Sequence, residues 1–255
     1  LLEIPVEGRR IFSEFSISKY THINGFNISS NVGLNSISYD LSNTELESKN
    51  VNVPNALIDI NTIFIKNTSD SKYFIEPRLT LGYSAYKDQY NNPIFDSDIV
   101  SPNNELFSND RFSGMDRIGD QSFYTLSMEY KKMSMGHQKV SLNISKKYYL
   151  KDRKVWMPSL MNHEMSMSNM SSMDSMNAND GPLVVRGSWM PTMTTMIMVY
   201  GGYLKESEKV PLGGITVNHK FNSGSLGFAK RYRRMAGDFN NQLDYLELFA
   251  DINLN

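Results

Sequence analysis

The feature that most constrains this chain is an alternation of apolar and polar residues with period two, repeated from end to end while helical periodicity is nearly absent. A β-strand turns successive side chains to opposite faces, so this alternation is the signature of strands with two unlike faces. The clearest run covers 73–86. Its apolar face carries Tyr73, Ile75, Pro77, Leu79, Leu81, Tyr83 and Ala85. Its other face carries Phe74, Glu76, Arg78, Thr80, Gly82, Ser84 and Tyr86. The same rule sorts Ala56, Ile58, Ile60, Thr62 and Phe64 from Leu57, Asp59, Asn61 and Ile63. It sorts Tyr124, Leu126, Met128 and Tyr130 from Thr125, Ser127 and Glu129, and Val140, Leu142, Ile144, Lys146 and Tyr148 from Ser141, Asn143, Ser145 and Lys147. Near the C-terminus, Leu246, Leu248, Ala250, Ile252 and Leu254 alternate with Glu247, Asp251 and Asn253. Fainter runs lie near 11–20, 23–41, 182–190, 194–204, 212–221 and 224–234.

That makes about eleven strands, many of them near the 9–11 residues a tilted strand needs to cross a bilayer. Strands of soluble sandwiches are usually about five or six residues long. The fold expected is all-β: an antiparallel transmembrane β-barrel segment, part of a larger outer-membrane barrel. A large soluble sandwich is the alternative, since alternation appears there as well. Composition agrees with the barrel once it is read by strand parity. A mean hydropathy of −0.41 averages a polar interior with an apolar exterior. The chain of 255 residues holds no run of apolar residues long enough for a helical span. It has no cysteine, hence no disulfide and no thiolate site, and a net charge of −1, which excludes a general binder of nucleic-acid phosphates.

Turn chemistry points the same way. His22 to Gly25, Asn67 to Asp70, Met135 to His137 and Asn222 to Gly224 are short connections of turn formers, whereas loops at about 87–119 and 151–181 are long. Short turns on one side and long loops on the other are the asymmetry of outer-membrane barrels. The chain starts on Leu1 with no secretory signal and stops within an alternating pattern, so a longer parent sequence is expected.

The first long loop carries the most specific pattern. Glu76-Pro77-Arg78 is followed by Tyr86-Lys87-Asp88-Gln89, then Phe95-Asp96-Ser97, Leu106-Phe107 and Arg111-Phe112-Ser113-Gly114-Met115-Asp116-Arg117-Ile118-Gly119-Asp120. These motifs, in this order and spacing, resemble the C-terminal barrel of the LptD family of lipopolysaccharide-assembly proteins, also called organic-solvent-tolerance proteins. Lys146 to Arg153 resembles a later strand end of that family, and Gly181-Pro182-Leu183-Val184 a strand restart after a variable loop. The resemblance is strong over about 72–153 and looser elsewhere.

The resemblance implies a non-enzymatic protein of the Gram-negative cell outer membrane, with no cofactor. Its implied work is to transport lipopolysaccharide and insert it into the outer leaflet. It implies a barrel of about 26 strands, of which residues 1–255 supply a part. Its implied partners are lipopolysaccharide, outer-membrane lipid, an LptE-like lipoprotein plug, and an LptA-like periplasmic bridge that joins through a jelly-roll domain lying outside this segment. Nucleic acid is not among them. In that frame Glu76, Arg78 and Glu129, together with Asp59, Asn61, Lys147, Glu247 and Asp251, form a hydrated lumen of mixed charge. Arg111, Asp116, Arg117 and Asp120, set around Phe112, Gly114 and Ile118, form a loop held by Arg–carboxylate pairs that acts as a latch between the extracellular side and the lumen.

The second long loop supports a rival reading. Seven methionines and His163 fall within 157–176. Thioether and imidazole groups are soft ligands for Cu(I). Met161, His163, Met165 and Met167 are therefore candidate ligands of a copper-handling barrel. The bland reading is a low-complexity variable loop. A barrel enzyme of the outer-membrane phospholipase kind needs a Ser/His pair at the membrane edge, and no compelling pair is present. His22, His137 and His219 are far apart, and Arg231-Tyr232-Arg233-Arg234, which could be read as a phosphate or nucleic-acid patch, fits better on a barrel at a strand end, facing lipid A phosphates or anionic sugar.

Overall fold

A computed structural model of the chain describes residues 7–42, 50–89, 92–97, 100–155, 180–204, 209–235 and 238–252. The described residues form a 12-stranded sheet and one turn of helix. The strands are β1 (Glu7–Ile23), β2 (Phe26–Ser42), β3 (Val51–Asn61), β4 (Phe64–Asn67), β5 (Ser71–Ser84) and β6 (Gln121–Ser134). They continue with β7 (His137–Tyr149), β8 (Asp180–Trp189), β9 (Thr195–Leu204), β10 (Lys209–Phe221), β11 (Gly224–Met235) and β12 (Asp238–Ile252). The helical turn, α1, is Pro102–Glu105 within the first long loop. Strands pair in the order β1-β2-β3-β5-β6-β7-β8-β9-β10-β11-β12, with β4 on β5. The registers of β1–β2, β4–β5 and β8 through β12 are antiparallel.

The antiparallel, nearly all-β expectation holds, with twelve strands rather than eleven. The extra strand arises because the run over 56–64 is broken after Asn61. The Thr62 N–H donates to the Pro77 carbonyl at 3.3 Å, but proline has no N–H to return. The ladder stops there, and Phe64 to Asn67 pair separately with Ile75 to Lys72. The turns follow their sequences. Ile23 faces Phe26 across Asn24-Gly25, and both turn residues have positive φ, 50° and 84°. Two left-handed residues make a turn whose twist matches that of the strands, which is why a glycine is needed. Met135 and Gly136, at 51° and 75°, repeat the arrangement between β6 and β7.

Burial is inverted relative to a protein folded in water. On β5, Thr80, Gly82 and Ser84 are buried while Leu81 and Tyr83 are exposed. On β6, Thr125 is 0% exposed and its neighbours Leu126 and Met128 are 50% and 55% exposed. On β7, Ser145 and Lys147 are fully buried while Leu142 and Ile144 stand out. Each exposed apolar face would cost about 25 cal/mol per Å² against water but nothing against hydrocarbon. An antiparallel sandwich hides its apolar face; this sheet hides its polar one. That excludes the sandwich.

The chain divides into two compact units. The first comprises Leu1–Ile60, Thr80–Tyr124 and Tyr148–Asn179. Its core is Ile37, Val51, Val53 and Ile118, flanked by Phe12, Tyr39 and Ala85, with a smaller cluster of Phe112, Val155 and Ile94. Ile118, Phe112 and Ile94 belong to the first long loop, so that loop is part of the unit's core. The buried Phe123 ring lies over Gly82, where an added Cβ would sit 2.1 Å from a ring carbon. The second unit comprises Asn61–Leu79, Thr125–Lys147 and Asp180–Asn255. Its polar groups pair among themselves: Ser145 with Ser127 at 2.7 Å, Ser141 with Ser188 at 2.8 Å, and Gln138 with Ser188 at 3.1 Å.

Candidate functional site

The first long loop is organised around one carboxylate. Asp116 is fully buried. Its Oδ2 accepts the backbone N–H groups of Phe95, Asp96 and Ser97 at 2.8, 2.6 and 3.0 Å. Its Oδ1 accepts the Arg10 guanidinium from β1. Three successive N–H groups aimed at one oxygen form an anion-binding concavity, here filled by the protein's own side chain. Ser97 closes the pair of segments by accepting the N–H groups of Asp116 and Arg117 on its Oγ at 3.0 and 3.2 Å. Arg10 also grips Asp96 through two bonds of 2.9 and 2.8 Å, and Tyr39 donates its hydroxyl to the Asp116 carbonyl at 3.1 Å. The Arg10 hydrogen bond, then the Met115 N–H, hold the Asp96 carboxyl below the usual carboxylate range.

Gln89 acts as a substitute strand neighbour for Ile118. Its amide donates to the Ile118 carbonyl at 2.8 Å, and its Oε1 accepts the Ile118 N–H at 3.1 Å. Arg117 donates to the carbonyls of Gln89 and Asn92, and burial pushes its pKa down. Gly114 has a φ of 73°, and a Cβ there would lie 2.5 Å from the Asp96 carbonyl oxygen. The Arg-Phe-Ser-Gly motif therefore needs its glycine on both counts.

A second carboxylate ties this loop to the base of the next one. Asp120 accepts the Lys154 N–H on both oxygens at 2.9 Å and the Val155 N–H at 2.8 Å. Arg111 lies 3.6 Å from Asp120 and donates to the Val155 carbonyl at 3.0 Å. Burial, then repulsion from Arg153, pushes the Arg111 pKa down. Asp110 accepts the Phe112 and Gly119 N–H groups at 3.1 and 2.9 Å, and burial pushes its carboxyl up to about 6.

Sequence reasoning placed Arg111, Asp116, Arg117 and Asp120 in one folded loop, and they lie together. Their pairing differs from the expected set of Arg–carboxylate bridges. Only Arg111–Asp120 is such a pair within the four. Asp116 takes its cation from Arg10, and Arg117 serves backbone carbonyls. Gln89, Asp96 and Ser97 stood inside quoted motifs without an assigned role; Arg10 and Tyr39 stood in none, since a charge or a tyrosine on a long strand carries no local signal. Of the other expected polar residues, Glu76 and Glu129 flank Lys131 at 3.3 and 3.0 Å, and Arg78 lies two residues beyond Glu76 on β5. Glu247 lies 3.6 Å from Arg231, which stands over the Tyr245 ring at 5.9 Å, so that arginine is engaged within the sheet. His22 meets Asn27 and His219 meets Thr195, each at 2.9 Å, far from one another in the strand order. Met161, His163, Met165 and Met167 lie outside the described residues. Among the described residues no three His, Asp or Glu side chains gather as a metal site.

Strands of bilayer-crossing length, apolar on the exposed face and polar on the buried one, with a long loop fastened at one end, define the wall of a Gram-negative outer-membrane β-barrel. The profile described as "LptD: LPS transport system D" matches residues 5–255, and the chain belongs to that family. It is 38% identical over 119 residues to the LPS-assembly protein LptD of Pseudomonas putida (strain GB-1), covering 44% of this chain and 13% of that protein. It is 29% identical over 185 residues to the LPS-assembly protein LptD of Acinetobacter baylyi, covering 72% of this chain and 20% of that protein. The chain thus spans a small fraction of the length of the relatives it matches. Among solved structures, outer membrane phospholipase A from Escherichia coli aligns with a TM-score of 0.36 and 8% identity, over 96% of this chain and 78% of that one.

Proposed function

We propose that residues 1–255 build part of the wall of a larger outer-membrane barrel that carries lipopolysaccharide to the outer leaflet, with no enzymatic step of its own. The observation that carries this reading is the inverted sheet, apolar where exposed and polar where buried, in a chain of this family. A glycolipid has a sugar and phosphate part that needs hydrated polar walls and acyl chains that need hydrocarbon. A two-faced sheet provides both. Glu76, Arg78 and Glu129 would then line the wet side, where mutually paired charges tolerate a passing phosphate without holding it. An LptE-like plug and an LptA-like bridge are the partners this role calls for.

In this reading the Arg111–Asp120 stretch of the first long loop is a latch that keeps the long-loop end closed to solutes, with Asp116 and Arg117 as its fastenings. The test places Asp116→Ala and Arg117→Ala in the full-length gene, in cells that depend on it. Entry of large antibiotics and surface lipopolysaccharide are both measured. Raised antibiotic entry with lipopolysaccharide still displayed supports the latch; unchanged permeability in both variants refutes it. Failure of the full-length protein to support any surface display when its own expression is restored refutes the transport reading itself.

A further inference from the structure

The second unit brings a thioether against an ammonium at its short-turn end. β8 stops at Trp189, and Met190 to Thr194 lead into β9 at Thr195. Threonine hydroxyls hold that turn. Thr192 Oγ1 accepts the Thr195 N–H at 3.0 Å, donates to Thr195 Oγ1 at 2.9 Å and lies 3.1 Å from Thr194 Oγ1. Backbone bonds tie the turn to its neighbours on both sides. The Met190 N–H donates to the Lys139 carbonyl of β7 at 2.8 Å, and the Lys220 N–H of β10 donates to the Thr194 carbonyl at 2.7 Å. The main chain of both partners is thus fixed where the Lys139 ammonium donates to the Met193 sulfur at 3.2 Å. Met193 is 49% exposed, so its side chain meets solvent as well as the ammonium.

A thioether is a weak acceptor and an ammonium a strong donor. The pair is poorly matched as it stands and becomes well matched on gaining one oxygen. Hydrogen peroxide can supply it. A sulfur lone pair forms the S–O bond, the O–O bond breaks, and the departing hydroxide takes the proton of the transferred hydroxyl and leaves as water. Sulfur is oxidised and the peroxide is reduced. Sulfoxide formation usually disrupts a methionine contact, because it makes an apolar side chain polar. Here the polar product meets a cation already in place, and the new oxygen can take a charge-assisted hydrogen bond from it. We propose that Met193 is an oxidation site whose sulfoxide is captured by Lys139, so that peroxide tightens the contact between the β8–β9 turn and β7. The contact lies within one unit and does not depend on the transport reading.

The experiment uses the full-length protein in nanodiscs, treated with hydrogen peroxide until mass spectrometry shows Met193 almost fully oxidised. A short pulse of an acetylating ester then reads how free the Lys139 amine is. Labelling of Lys139 should fall about fivefold after oxidation, the effect of engaging the amine in a charge-assisted bond. Met193→Leu, treated identically, should show no fall, since it keeps every other methionine. Met193→Gln, whose amide oxygen stands in for the sulfoxide, should show the fall without peroxide. Labelling should return as methionine sulfoxide reductases restore Met193. Unchanged labelling at full Met193 oxidation overturns the proposal. An equal fall in oxidised Met193→Leu also overturns it, because the effect would then come from other methionines. So does a Met193 that stays reduced while Met135, 81% exposed on the β6–β7 turn, is oxidised.

Discussion

Replacing Asp116 by alanine removes the acceptor for three backbone donors at once, one buried and two part-buried. The N–H groups of Phe95, Asp96 and Ser97 all point at its Oδ2. The buried Ser97 donor left without a partner costs about 1–3 kcal/mol and each of the two part-buried ones about 1–1.5 kcal/mol, so the closed loop should lose about 3–6 kcal/mol relative to an opened one in which water reaches those amides. Arg10 adds little to this sum, because it keeps its two-bond grip on the more exposed Asp96. The opening equilibrium of the 95–97 segment should rise by about two to four orders of magnitude. Hydrogen exchange of those three amides in the full-length protein reads this directly. Asp116→Asn should fall between wild type and alanine. Its carbonyl oxygen can still accept the three N–H groups, while its NH₂ faces Arg10 with a donor where an acceptor stood. Wild-type protection of the three amides in Asp116→Ala would refute the hub, because it would mean that other groups satisfy them.

Asp110 makes the same loop sensitive to pH, tighter in acid. Burial raises its carboxyl to about 6, above an unfolded value of about 3.9, so the closed loop binds the proton more tightly than the open one. That stabilisation is full below about pH 4 and is lost as the pH rises through about 6. Exchange at the Phe112 and Gly119 amides should therefore quicken across that window, and Asp110→Asn should flatten the slope; parallel profiles would contradict the assignment. Met128 and Ser127 lie side by side at the centre of β6 on opposite faces. Met128→Arg should cost about 2–4 kcal/mol in a bilayer, and Ser127→Arg much less. Unfolding of the full-length protein in vesicles measures both, and equal tolerance would argue against a lipid-facing Met128. Gly82→Ala should cost about 1–3 kcal/mol by forcing the buried Phe123 ring aside. A denaturant midpoint unchanged from wild type would show that the ring can move freely.

The fold was legible in the sequence because strand parity is a local property. Each residue's face follows from whether its position is odd or even, so Leu81 and Thr80 declare opposite solvents without reference to any distant residue. The short turns were legible for the same reason, as Asn24-Gly25 and Met135-Gly136 impose their own backbone geometry. The break after Asn61 was not, because it depends on Pro77 lying across the ladder sixteen positions away along the chain.

The loop shows the same division more sharply. Its sequence determined that Arg111, Asp116, Arg117 and Asp120 belong to one ordered element, since so many charges and apolar anchors in a short span cannot all face water. Which charge meets which was decided only in three dimensions. Asp116 ends against the N–H groups of 95–97 and against Arg10, more than a hundred residues away in the chain. Asp120 ends against 154–155. A buried carboxylate takes whichever donors the packed strands bring within about 3 Å, and that proximity is a property of the sheet's register, which no local run of residues contains.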